Sequence, residues 1–394
     1  MDTFDFLDNR VFDDRFSAFA PQSPQTLPGQ GFFNFTPLDT GAKVQPSGDV
    51  RFGFYAPNAQ AVSVVFGIKA DQPLAMEKGE NGVWSATLPY DPLFCGPKAF
   101  TFQVDGAPML SPYCPMYYSH SLAINYVEIP DKNTPYILMR DVPHGAVSTE
   151  YYWAEALDTW QRCLVYTPPG YEAGGDYPVL YLQHGAGENE TSWVYNGRAN
   201  HILDNLIADG LAVPMLVVMN DGMVRGKNET GFGGIGGRSA FESTLIDSCI
   251  PFIEKKYRVV PDKWHRALAG FSMGSMQACN IGLTNTALFA YIGLLSGFMA
   301  MTRDDSEIPT AIQNSPTLRI LADKERFTAE IKLFYRGIGS NDAHYESYAR
   351  DQKICDLGGF DAYPNFVSRV VEGYPHDWAV LRILLHDFAQ RLFR

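Results

Sequence analysis

The sequence predicts two domains: a small antiparallel β-sandwich, then a larger α/β domain whose mostly parallel sheet is covered by helices on both faces. Three observations carry this. The chain has 394 residues, more than one core of ordinary size requires. Its first third is patterned with period two and punctuated by turns. From about Asp141 onward, continuous apolar strands alternate with segments of helical periodicity.

Residues 1–44 are rich in Phe, Pro and Gln without a clear period, and are read as an N-terminal extension. The sandwich is expected over 45–131. There "DVRFGFYAP" sets Val50, Phe52 and Phe54 on one face. "VSVVF" does so with Val62, Val64 and Phe66, and "KAFTFQV" with Phe100, Phe102 and Val104. Turns such as "ENG" and "VDG" separate these runs, as short antiparallel strands require.

The α/β domain is expected over 141–394. "YPVLYLQHG" is an apolar strand running into glycine, and "ANHILDNLIADG" is a helix stopped by Gly210. The strand "PMLVVMNDG" and the helix "FESTLIDSCIPFIEKKY" follow. "HRALAG" leads as a strand into the helix "SMQACNIGL". "AYIGLLSG", "KLFYRGIGS" and "SRVVEGY" add three strands, and "DWAVLRILLHDFAQRLF" closes the chain as a helix. The glycine run Gly231–Gly237 lacks the strand before it and the GKS/T after it that a phosphate loop needs, so it is read as a loop.

Composition narrows the function. Hydrophobic residues make up 46% and charged residues 19%, the balance of a soluble, core-forming protein. A net charge of −13 argues against nucleic acid, which would need a basic stripe, and against docking on an anionic membrane surface. No run approaches the roughly 20 apolar residues of a membrane span. The six cysteines show neither C-x-x-C pairs nor zinc spacing, and are read as buried thiols. The start, "MDTFDFLDNRVFDDRF", has neither the basic segment nor the apolar run of a secretory leader. The expectation is a cytoplasmic protein, or a secreted one if a leader preceded this sequence. Oligomeric state stays open, a homo-oligomer included.

Gly270, Ser272 and Gly274 fit G-x-S-x-G, with an apolar strand before them and a helix after. This is the setting of a serine nucleophile turn: so tight that a Cβ at either glycine would clash, and topped by a helix N-terminus that favours developing negative charge. A serine hydroxyl needs a base. In this topology the acid follows the nucleophile and the histidine comes last. His376, in "GYPHDW" between a strand and the last helix, is the candidate base; His386 lies inside that helix. Asp342, in the loop after "KLFYRGIGS", is the candidate acid, preferred over Asp304, Asp305, Asp323 and Asp361. His344 is a rival base that would leave His376 without a role. The N–H groups of Met273, after the nucleophile, and Ala186, in the loop "LQHGAGENETSW", are the candidate oxyanion donors. His184 is read as a structural loop histidine. Such chemistry calls for no metal or cofactor. Trp193 and Trp378 flank the site in sequence; either could stack on an acyl group or sugar ring, or pack beneath the loops. In the sandwich, core packing is preferred over a sugar platform for Trp84 and Tyr90.

"YPVLYLQHGAGENETSW", "GRANHILDNLIADG", "PMLVVMNDG", "HRALAGFSMGS", "GSNDAHYE" and "PHDWAVLR" together resemble the family 1 carbohydrate esterases, the feruloyl and acetyl-xylan esterases related to the esterase D and enterochelin esterase group. The likeness covers 141–394. More weakly, "RFGFYAPNAQAVSVVF", "NGVWSATLP" and "FTFQVDG" resemble a family 48 carbohydrate-binding module, an early-set (immunoglobulin-like) sandwich. The resemblance implies an α/β-hydrolase fold. It also implies nucleophile Ser272, acid Asp342, base His376 and oxyanion donors Ala186 and Met273. Ser275 departs from the glycine usual after "SMG". The expected activity is hydrolysis of ferulate esters on plant polysaccharide or oligosaccharides. The rivals are an acetyl-xylan or other carbohydrate acetyl esterase, a siderophore esterase, and a glycan-binding protein with a relic hydrolase domain. The expected partner is a feruloylated or acetylated oligosaccharide.

Overall fold

The computed structural model describes residues 39–67, 71–119, 121–226, 238–299, 304–307, 310 and 314–394. The chain divides into two compact units, Met1–Met139 and Arg140–Arg394. Most of the N-terminal extension and the glycine run Gly231–Gly237 lie outside the described residues.

The first unit is a sandwich of two antiparallel sheets. One has the order β1-β2-β6-β5: Gly41–Val44, Val50–Tyr55, Val83–Leu88 and Glu77–Lys78. The other runs β4-β3-β7-β10-β9: Leu74–Ala75, Val62–Phe66, Gly96–Val104, Leu122–Ile129 and Met116–Ser119, with β8 (Ala107–Met109) on β7. The period-two faces meet as expected: Phe52, Phe66, Phe100 and Phe102 form an edge-to-face cluster between the sheets. The sandwich starts earlier than residue 45. Gly41–Val44 pairs with Val50–Gly53, and the strand is too short and too polar, with Lys43 exposed, to register as alternation. Trp84 is buried, and its indole N–H donates to Ala56 O at 2.9 Å, so its ring belongs to the core.

The second unit has the α/β-hydrolase fold. Its eight-stranded sheet runs β11-β12-β14-β13-β15-β16-β17-β18. The strands are Ala146–Ala154, Thr159–Thr167, Leu216–Asn220, Val179–Gln183, Arg266–Phe271, Tyr291–Leu295, Leu333–Gly339 and Phe366–Val371. All pairs from β14 to β18 are parallel; β11 and β12 form an antiparallel hairpin on one edge. Sequence patterning passes over this hairpin because its solvent face carries Tyr151, Trp153 and Trp160, which hides the alternation with Tyr152, Ala154 and Cys163 inside.

The central strands are buried end to end, as sheets covered on both faces are. Helices Ala199–Ala208 and Trp378–Ala389 cover one face. The other is covered by the segment from Ala240 to Lys256 and by helices Met273–Thr284, Pro316–Ala322, Lys324–Glu330 and Tyr345–Gly358. The first of these segments is not one helix. It widens to a π-turn over Thr244–Cys249, just ahead of Pro251, which has no N–H to give the preceding turn. All six cysteines are buried free thiols. Among the described residues no helix is long and apolar enough to cross a membrane.

Candidate active site

Ser272 stands between β15 and helix Met273–Thr284 with φ 52° and ψ −113°. A non-glycine residue held there is strained. The surroundings enforce it. A Cβ on Gly270 would come within 2.4 Å of the Gly274 backbone, and one on Gly274 within 2.6 Å of His184 O. Only glycine at both positions lets the helix start against the end of β13. Ser272 N–H donates to Leu295 O at 3.1 Å, which ties the turn to β16.

His376 and Asp342 reach Ser272 from separate loops, and those loops are joined to each other. Ser340 N–H donates to Val371 O at 2.9 Å, Asn341 N–H to Tyr374 O at 3.0 Å, and Gly373 N–H to Ser340 Oγ at 2.8 Å. Asp377, next to His376, caps the last helix by accepting from Ala379 N–H at 2.9 Å. The outcome is a continuous chain: His376 Nε2 lies 3.1 Å from Ser272 Oγ, and His376 Nδ1 lies 2.8 Å from Asp342 Oδ2. These are hydrogen-bond distances.

Asp342 is buried, which alone would raise its pKa. The imidazole of His376, the hydroxyl of Ser296 and the N–H of His344 outweigh that and hold it below the ordinary carboxylate value. An ionised Asp342 accepts from Nδ1–H, which leaves Nε2 as the acceptor facing the serine hydroxyl. Sequence reasoning does not single out Ser296. It follows β16, donates to Asp342 Oδ2 and lies 3.3 Å from His376 Nδ1. A serine after an apolar strand is too common to stand out until the neighbouring loops close on it.

The rival groups take other roles. His344 gives its backbone N–H to Asp342 Oδ1 at 2.7 Å, and its ring lies edge-on to His376. Burial and the nearby His376 depress its pKa, so it favours the neutral form. His184 is structural: Gly222 N–H donates to its Nε2 at 2.9 Å, so its Nδ1–H donates to Gly185 O at 2.7 Å. His386 sits half-buried on the last helix beside Gln390. Asp323 caps helix Lys324–Glu330, Asp304 accepts from Ser306, and Asp305 pairs with Lys353. The side chain of Asp361 lies outside the described residues.

Met273 is the first residue of the helix that Ser272 opens, where N–H groups have no partner within the helix. Ala186 is exposed in the loop after β13, two residues beyond the His184 carbonyl on which that helix start packs.

The two tryptophans considered for substrate stacking do not offer a face to substrate. Trp193 is 1% exposed and Trp378 4%. Trp193 Nε1 donates to Gln183 O at 2.8 Å, Trp378 Nε1 donates to Glu188 Oε1 at 2.9 Å, and the rings meet edge to face. They pack beneath the loops, where each indole N–H has an acceptor. Glu188, also missed in the sequence, links the two sides of the site. Its other oxygen accepts from Gly185 N–H at 3.2 Å, next to Ala186. Burial raises its pKa to about 7, although His184, Gly185, Trp378 and His376 all favour its charge.

Residues 154–348 match the family model described as putative esterase, and residues 39–107 match carbohydrate-binding module 48, the isoamylase N-terminal domain. Over 386 residues the chain is 34% identical to the endo-1,4-beta-xylanase/feruloyl esterase of Xylanibacter ruminicola, covering 95% of this chain and 48% of that protein. The chain spans about half the length, or less, of the curated relatives it matches. A CE1 ferulic acid esterase structure from Anaeromyces mucronatus aligns with TM-score 0.54 and 23% identity, over 67% of this chain and 96% of that one. An enterobactin esterase structure from Shigella flexneri aligns with TM-score 0.61 and 16% identity, over 88% of this chain and 94% of that one. At such identities the two structures speak to the fold. The α/β-hydrolase unit is thus similar to the putative esterases over residues 154–348, and the N-terminal sandwich to carbohydrate-binding module 48 over residues 39–107.

Proposed function

We propose that the chain is a serine carboxylic ester hydrolase that releases hydroxycinnamic acids, ferulate foremost, from feruloylated plant polysaccharide or oligosaccharides. The observation that carries the hydrolase reading is the unbroken chain Asp342–His376–Ser272, at 2.8 and 3.1 Å, on a strained serine at a helix N-terminus. The choice of acyl group is supported by the relative named as an endo-1,4-beta-xylanase/feruloyl esterase, which is 34% identical over nearly the whole chain. The choice of a glycan alcohol is supported by the carbohydrate-binding-module match.

His376 Nε2 takes the Ser272 proton as Oγ attacks the ester carbonyl. Asp342 holds the imidazole in its reactive tautomer and stabilises it once charged. The N–H groups of Met273 and Ala186 receive the oxyanion, an interaction worth about 10²–10³ in rate per donor. The sugar hydroxyl leaves with the proton from His376. Water then enters, gives a proton to His376 and cleaves the acyl-serine, which returns the hydroxyl to Ser272.

The test is a panel of methyl ferulate, acetylated xylo-oligosaccharides and a catechol trilactone, run with the wild type and Ser272→Ala. The expected result is preference for the ferulate ester, with the variant at least about 10³-fold slower and still folded. Full hydrolysis by Ser272→Ala would overturn the nucleophile. Preference for acetyl esters or the trilactone would replace the substrate class.

A further inference from the structure

We propose that Trp153, Trp160 and Tyr151, with Arg162 beside them, form a platform for a neutral glycan chain on the carboxyl edge of the main sheet. It would hold the sugar chain while the ester on that chain sits at Ser272. The proposal rests on the esterase reading above and supplies a place for the rest of the substrate.

The platform follows from strand pairing. In the β11–β12 hairpin Trp153 lies opposite Trp160, and Tyr151 opposite Arg162. Residues opposite each other on antiparallel strands share a face. Tyr152, Ala154, Cys163 and Val165 take the other face and enter the core. The aromatic face is therefore left to solvent, with Tyr151 57%, Trp153 39% and Trp160 64% exposed. The indole rings of Trp153 and Trp160 stand 5.8 Å apart at 80°, which makes an open corner of two aromatic faces. Three large aromatic side chains together on a solvent face are an apolar patch of the kind that marks a binding site.

Its position ties it to Ser272. β12 runs antiparallel to β14, so its first residues point toward the carboxyl edge of the parallel strands. Cys163 pairs with Asn220, the last residue of β14, while Gln183, the last residue of β13, pairs with Gly270. The register between β13 and β14 sets these four residues in one row across the sheet. Trp160 rises three residues above that row, about 10 Å, and Ser272 follows Gly270 by two residues on the same edge. From β12 to β15 there are three strand steps, about 14 Å. A short oligosaccharide spans that distance.

The platform also joins the loop that carries Ala186. Arg162 forms an ion pair with the buried Glu190 of that loop. Tyr166, on the same face of β12, donates to Asp204 of the helix that follows the loop. The aromatic face thus lies on the side of the sheet where this loop runs. A sugar chain matches such a surface: its C–H faces stack on the rings, and its hydroxyls reach the half-exposed guanidinium. The acidic balance of the protein, −13 in net charge, favours a neutral glycan over one carrying uronic acids.

The test uses the full chain and ferulate esters graded in size, from methyl ferulate through a single sugar to a feruloylated xylo-oligosaccharide. The wild type is expected to gain kcat/KM as the glycan lengthens. Trp153→Ala with Trp160→Ala should lose about tenfold on the longest ester, mostly in KM, and keep its rate on methyl ferulate, which has no chain to reach the hairpin. Trp160→Tyr, which keeps a ring, should retain most of the gain. The proposal is overturned if the double variant keeps the full gain, if it slows equally on methyl ferulate, or if Trp160→Tyr falls as far as the double variant. A wild-type dimer that the double variant dissolves while the gain persists would assign the hairpin to contact with a second copy and overturn it as well. Titration of unesterified xylo-oligosaccharide into Ser272→Ala, with and without the two tryptophans, separates this proposal from the esterase reading. Lost binding supports the platform even if no ferulate ester is cleaved, and unchanged binding removes it.

Discussion

At Ser272 the backbone is held at φ 52°, a conformation costing on the order of 1–3 kcal/mol for a residue with a side chain. The bond from its N–H to Leu295 O and the tight packing of Gly274 against His184 keep it there. Glu188 is the other costly residue, a buried carboxyl between Gly185 N–H and the Trp378 indole. Folded, it keeps its proton until about pH 7; unfolded, it releases it near 4.5. Between those values the native state binds more protons, so this group makes the protein less stable as pH rises. Compared with Glu188→Gln, which cannot titrate, the wild type should lose roughly 2–3 kcal/mol between pH 5 and pH 8. Denaturant titrations of both proteins at the two pH values measure it, and a difference independent of pH would rule it out. Asp342 shifts the opposite way, but it is present in both proteins and cancels from the comparison.

The next scale is that of helix starts and strand ends. Ser275, on the first turn of helix Met273–Thr284, donates its hydroxyl to Ser272 O at 2.7 Å. Gly297, just past β16, faces it: a Cβ there would stand 1.6 Å from Ser275 Oγ and 2.6 Å from Ser275 Cβ. Gly297→Ala should therefore destabilise by about 1–3 kcal/mol through overpacking. Ser275→Gly alone should cost about 0.5 kcal/mol in helix propensity. Together they should cost less than their sum, by at least roughly 1 kcal/mol, because the second change removes the atoms that the first one strikes. Thermal melts of the two single variants and the double variant supply the cycle, and simple additivity would contradict the contact. This pairing also explains how the serine that departs from the family's glycine is accommodated: a glycine across from it yields the space.

For the molecule as a whole, 44 acidic against 31 basic residues give a pI of about 5.0. Solubility followed by light scattering should pass through a minimum near that pH, where net repulsion between molecules vanishes. Both units were legible in the sequence to the extent that burial is periodic. Val50, Phe52, Val62, Val64, Phe100 and Phe102 alternate because one face of each strand meets a core. β13 to β16 read as unbroken apolar runs because both of their faces do. Gly41–Val44 and the β11–β12 hairpin escaped, one for its brevity and the other because its outer face is as aromatic as its inner face. The order of serine, acid and histidine along the chain follows from a topology in which each ends a different parallel strand, so the sequence by itself determined Ser272, Asp342 and His376 as candidates. Their meeting, the hydroxyl of Ser296 on Asp342, the bridging carboxyl of Glu188 and the burial of Trp193 and Trp378 were decided only by the tertiary structure. Periodicity records whether a side chain faces the core, which is a property of one strand or helix. A hydrogen bond between loops 34 or 104 residues apart depends on where several elements come to rest together, and no local pattern encodes that.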